Sequence, residues 1–291
     1  MTILTEGLLE PFALDFLRRA LLGGALVAVL CGVVGTWVVI RGMAFLGEAL
    51  AHGMLPGVAL ATVLGWPAMA GGAVSAIAMS LGIGALQRRG RLSYDTSIGL
   101  LFVAMLALGV IIVSHSGSFA TDATSILFGD ILAIAPVDLV LLAVAAGVGL
   151  VVATVAHRPL LALALDARIA AVLGLGPRLA QAALVGLVTL AVVASYQAVG
   201  SLLVVGLLLA PAVAAEHWTT RIPTRMLLAA GFGVVAVLVG LLVSWHAATA
   251  AGASVAAAAI ALAVLSWATR AALDAVRART TARPTTRPAT A

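Results

Sequence analysis

The chain has 291 residues, 63% of them hydrophobic and only 9% charged, with a mean hydropathy of +1.21. A water-facing domain carries roughly 25% charged residues, so this composition excludes a soluble enzyme and a nucleic-acid module, and the single cysteine, Cys31, excludes a disulfide scaffold. The net charge of +5 comes from 16 arginines, with no lysine, against 11 acidic residues.

Residues 1–19 carry Glu6, Glu10 and Asp15 among apolar positions and read as an interfacial lead-in. Neither the basic start nor the small-residue cleavage site of a secretory signal is clear. Apolar spans of the length needed to cross the hydrocarbon core then follow at 20–40, 43–64, 67–87, 95–114, 137–156, 178–198, 201–216, 226–246 and 251–270. The expected fold class is all-α: a polytopic transmembrane helical bundle of about 8–9 helices, forming one domain over residues 1–270. The Arg/Pro/Thr-rich end, 271–291, offers little to bury and is expected to be disordered.

Arginine placement gives the orientation. Arg88, Arg89 and Arg91 follow the third span, Arg158, Arg168 and Arg178 bracket the fifth-to-sixth link, Arg221 and Arg225 the seventh-to-eighth, and five more lie from Arg270 onward. Strict alternation places all four groups on one side, the cytoplasm, with the amino terminus outside. Arg18 and Arg19 run against that placement.

A carboxylate at the centre of a membrane helix costs about 2.5–3.5 kcal/mol on insertion scales, so such residues point to function. The second span contains Gly47-Glu48-Ala49-Leu50-Ala51-His52-Gly53-Met54-Leu55-Pro56. Glu48 and His52 are four apart and share one helix face. A carboxylate and an imidazole on one face form half of a divalent transition-metal site; an ion pair that satisfies only itself is the other reading. Pro56 should disturb the helix and free carbonyls near Gly53 and Met54 for use by a cavity.

Asp130, Asp122 and His115 either line an outer vestibule for cations or serve as helix caps at the interface. No phosphate-binding loop of the G-x-x-x-x-G-K-[ST] type is possible without lysine, so the chain is expected not to hydrolyse ATP itself. If ATP drives it, a partner must dock on the cytoplasmic side. The candidate surface runs from Pro211 through Glu216, His217, Trp218, Arg221 and Pro223 to Arg225, read as a short amphipathic segment leaving the membrane at Pro211. A plain inter-span connector is its alternative.

The segment Val38-Val39-Ile40-Arg41-Gly42-Met43-Ala44-Phe45-Leu46-Gly47-Glu48-Ala49-Leu50-Ala51-His52-Gly53-Met54-Leu55-Pro56-Gly57 resembles the membrane permeases of bacterial ABC importers for zinc and manganese. Tyr94 to Gly99, Leu127 to Leu132 and Gly200 to Ala215 extend the resemblance in the expected order over about residues 20–270. It implies a homodimer in the cytoplasmic membrane, served by two cytoplasmic ATP-binding subunits and an extracytoplasmic metal-binding protein. The cargo would be Zn2+ or Mn2+, with no permanently bound cofactor. In that family an acidic residue and a histidine four positions apart contact the metal, which carries over to Glu48 and His52; two facing copies would supply four ligands. The family usually has Asp where this chain has Glu48, and the Pro-Thr-Gly-Pro-like stretch before its last span reads Ala250-Ala251-Gly252-Ala253-Ser254 here. Two other classes compete: a proton- or potential-coupled carrier acting alone with Glu48 as proton site, and a non-transporting membrane scaffold. Carriers of the first kind are often built from inverted repeats, and no internal duplication is evident.

Overall fold

A computed structural model describes residues 10–88, 93–115 and 130–281. After a 3-10 turn at Glu10–Ala13 the chain enters α1, Asp15–Ile40. This helix starts five residues before the expected span, where Asp15 in its first turn pairs with Arg18 at 2.7 Å. Beyond its first turns it is largely apolar all round and buried along most of its length, packing on three later helices. Small residues allow the close approach: a Cβ at Gly32 would come within 2.6 Å of the Ala230 backbone nitrogen, and one at Gly35 would run into the Leu208 carbonyl.

Gly42, with φ +64°, turns the chain into α2, Ala44–Gly53, followed directly by α3, Leu55–Leu64. The single expected span at 43–64 is therefore one traverse interrupted at Met54, where Pro56 in the first turn of α3 supplies no N–H. The carbonyl of Gly53 does not open onto a cavity as expected; it accepts a 2.7 Å hydrogen bond from the buried Ser75 hydroxyl. Ser75 belongs to α4, Ala68–Arg88, which returns antiparallel to α3 through the close contact of Gly57 with Gly71. Next comes α5, Tyr94–His115, with the Ser93 hydroxyl accepting from the Thr96 amide at its start. That bond makes Ser93 the cap of this helix.

The second half opens with the 3-10 turn Ile131–Ala133 and α6, Pro136–Val155, where Asp138 accepts from the Ala135 amide at 2.9 Å. Two short helices follow, α7 (His157–Leu165) and α8 (Ala167–Val172), then α9 (Pro177–Glu216), α10 (Ile222–Ala247) and α11 (Ala251–Thr281). The 40 residues of α9 would form a rod of about 60 Å if straight. Instead Gly200 takes φ 71°, ψ 169°, and both ends return to one side: Gln181 reaches Arg41, while Ala212 and Ala215 pack against Val39. The element is a hairpin of two legs, matching the separate spans expected at 178–198 and 201–216. Among the described residues eight helices are long and apolar enough to cross a membrane, and Leu203–Glu216 adds a shorter apolar leg.

Contacts fix the sides. Trp37 stacks edge-on to His157, and Gly32 meets Ala230, so the ends of α1, α6 and α9 and the start of α10 share one face. At the other end of α1, Gly23 meets Ile134 and Gly24 meets Val237. The Arg41 face therefore carries Arg158, Arg168, Arg178, Arg221 and Arg225, and by the positive-inside rule it is cytoplasmic. One expectation needs correcting. Order does not stop at residue 270: α11 continues to Thr281, because Ala271-Ala272-Leu273-Asp274-Ala275-Val276 are mostly good helix formers and Arg270 pairs with Asp274 one turn on at 3.2 Å. Residues 282–291 lie outside the described set.

Candidate functional site

The buried face of α2 carries Leu46, Ala49, Leu50 and Gly53; the opposite strip carries Phe45, Glu48 and His52 at helical spacing and is continued by Leu55 of α3. The strip lies on the outside of the protomer: Phe45 is 43% exposed, the Glu48 side chain 35% and the His52 side chain 21%. Nδ1 of His52 stands 3.2 Å from Glu48 Oε1 and 3.1 Å from the Glu48 backbone carbonyl. A proton assigned to Nδ1 serves both oxygens and leaves Nε2 as the lone-pair nitrogen facing away from the pair. The ring is also steadied edge-on by Phe102 of α5, at 5.6 Å between centroids, and Phe102 in turn meets Phe45 at 5.3 Å.

This arrangement offers one carboxylate and one imidazole nitrogen, fewer donors than a transition metal takes. No group of three or more His, Cys, Asp or Glu side chains suited to a metal occurs among the described residues. The pair alone thus supplies two donors, both toward the outer side of the protomer.

The other predicted residues are scattered. Asp130 caps the turn at Ile131–Ala133, accepting from the Leu132 amide at 3.2 Å, which is the capping alternative. His115 ends α5, but its side chain and the whole of Asp122 lie outside the described residues. The helix does not stop at Pro211; it runs on to Glu216, with Ala212, Ala214 and Ala215 buried. Within the expected amphipathic segment, residues 211–216 are the end of α9, a tight turn follows, and Pro223 already sits in the first turn of α10. That turn is well braced: Trp218 Nε1 donates to Ser266 Oγ (2.7 Å), Ser266 donates to the Ala214 carbonyl (2.8 Å), and Arg225 pairs with Glu216 (3.5 Å). Glu216, His217, Trp218, Thr219, Thr220, Arg221 and Arg270 line an open groove of about 320 Å³ there.

Two features escaped the sequence reading. On the cytoplasmic face α7 and α8 expose Leu165, Ile169, Val172 and Leu173, with Val172 87% exposed. The signal was present: Asp166 accepts from the Arg168 amide as an N-cap, and Gly174 and Gly176, both at positive φ, terminate the unit. The second is Arg41, treated below.

A broken-helix bundle of this topology, with a carboxylate–imidazole pair in an apolar span and an arginine-rich inner face, is that of a multi-pass transport permease of the bacterial cytoplasmic membrane. Residues 13–270 match the family model described as ABC 3 transport family, and the chain belongs to that family. Its relatives include the manganese transport system membrane protein MntC of Halalkalibacterium halodurans, 35% identical over 83% of this chain and 82% of that one. The chelated iron transport system membrane protein YfeD of Yersinia pestis is 33% identical over 84% and 82%. Among solved structures, PsaBC from Streptococcus pneumoniae in complex with Fab superposes with a TM-score of 0.78 at 29% identity, covering 89% of this chain and 94% of that one. Family membership sets aside the stand-alone proton- or potential-coupled carrier. The chain is a permease subunit of an ABC transporter.

Proposed function

We propose that the chain is the membrane half of an ATP-driven importer of a divalent transition metal, working as a homodimer in which Glu48 and His52 of each copy face their twins. The observation that carries this reading is the position of the pair. A carboxylate and an imidazole on the exterior of a protomer at bilayer depth cannot rest against hydrocarbon without the insertion penalty of a charge. They are relieved when a second copy covers them and a cation enters between. Two such pairs supply two oxygens and two nitrogens, a donor set without thiolate that suits manganese(II), iron(II) and zinc(II). Manganese is the cargo we favour, since the relatives' names mention manganese most often.

Cytoplasmic ATP-binding subunits are assigned to the face formed by the segment from Pro211 to Arg225, with the braced turn between α9 and α10, and by the exposed apolar residues of α7 and α8. An extracytoplasmic metal-binding protein delivers cargo to the opposite face. The test is uptake of manganese(II) by proteoliposomes holding the complete complex with ATP inside. Glu48→Gln and His52→Ala each abolish uptake while the dimer and its ATP-binding subunits still co-purify; wild-type rates in both variants would defeat the site assignment.

A further inference from the structure

From the side chains around the start of α2, we infer that Arg41 is a positioning residue that links the cytoplasmic connector α7 to the helix bearing Glu48 and His52. Arg41 ends α1 and stands three residues before α2 begins. Its Nη1 donates to the Leu163 carbonyl in α7 at 2.6 Å, and its Nη2 to Gln181 Oε1 in α9 at 3.3 Å. Gln181 reaches back through Nε2 to the sulfur of Met43, at the entrance of α2, at 3.8 Å. Tyr94, in the first turn of α5, lies within electrostatic reach of both Arg41 and Gln181. Through the Arg41 guanidinium and Gln181 the cluster brings α1, α2, α7 and α9 together with Tyr94 of α5 beside it, and Nε of Arg41 is buried without an acceptor among the described residues.

The geometry suits transmission. The planar fork holds two acceptors on different helices at fixed angles, which an ammonium on a flexible stem does not do. Leu163 belongs to the buried side of α7, whose outer side is the apolar cytoplasmic surface assigned above to the ATP-binding subunits. A shift of α7 moves its carbonyl, and the guanidinium carries that shift to Met43 and the first turn of α2. Gly42, at φ +64°, is the adjoining hinge. Arg41 does not itself contact the metal.

This inference rests on the proposed metal import, and its test separates the two. Permease variants co-purified with their ATP-binding subunits are reconstituted, and manganese(II) uptake and phosphate release are measured in the same vesicles. Arg41→Met is expected to keep ATP hydrolysis but lower uptake per ATP about tenfold, the size of losing one hydrogen bond to a charged group. Arg41→Lys, keeping the charge without the fork, should fall between Arg41→Met and wild type. Uptake and hydrolysis falling in parallel, or an unchanged ratio, would overturn the linkage. Should Arg41→Met fail to assemble, Gln181→Leu removes one arm and is read the same way: a lowered ratio supports the linkage and an unchanged one overturns it. A wild-type complex that takes up no manganese(II) with ATP removes the import proposal and this inference together, whereas normal wild-type uptake with an unchanged ratio removes only this one.

Discussion

Helices α1 and α2 follow one another in the chain and look alike in hydropathy, yet the fold treats them in opposite ways. In α1 the most apolar window is 72% buried within the protomer, and small residues let later helices approach its backbone. In α2 one face is equally buried, but the other presents a carboxylate, an imidazole and a phenyl ring to the outside. Neighbouring apolar helices, of 26 and 10 residues, can therefore serve as axle or as proposed working surface, and what separates them is whether polar groups occupy the unpartnered strip.

The contrast yields graded predictions. Gly35→Val should be the most damaging, since the added carbons meet the Leu208 carbonyl; overpacking costs about 1–3 kcal/mol or more, and the measured outcome is loss of monodisperse protein in detergent. His52→Ala should leave yield and thermal stability near wild type while uptake disappears, so a large loss of stability would erase the distinction between axle and working surface. Ser75→Ala strips the Gly53 carbonyl of its partner and should cost about 1–3 kcal/mol in thermal unfolding. The smallest effect is expected from Trp218→Phe, which removes one neutral hydrogen bond to Ser266, worth about 1 kcal/mol, and is visible as faster proteolysis of the cytoplasmic turn.

Much of this was legible because membrane helices announce themselves by length and the Glu48–His52 spacing needs only helical geometry to be read. The break at Gly200 also separated two expected spans, since a 40-residue apolar run cannot cross once. What stayed hidden depended on partners distant in sequence. Nothing near Ser75 says that its hydroxyl serves Gly53, and Arg41 meets Leu163 and Gln181 more than 120 positions away. The connector after α9 is shorter than the expected amphipathic segment: Pro211 suggested a stop, whereas a proline inside a membrane helix is tolerated when neighbours absorb the loss of its N–H. The extension of α11 was missed because composition over the whole tail masked the alanine-rich first part.

That extension has a mechanical corollary. Trp218, a residue type enriched at headgroup level, is fastened to Ser266 of α11. From Ser266 to Thr281 the helix continues for fifteen residues, about 22 Å at 1.5 Å per residue. The last helix thus runs on like a mast well past the point where the cytoplasmic turn is fastened to it, and a fluorophore placed near its far end would report axial rotation or tilt of the whole protomer as amplified sideways travel.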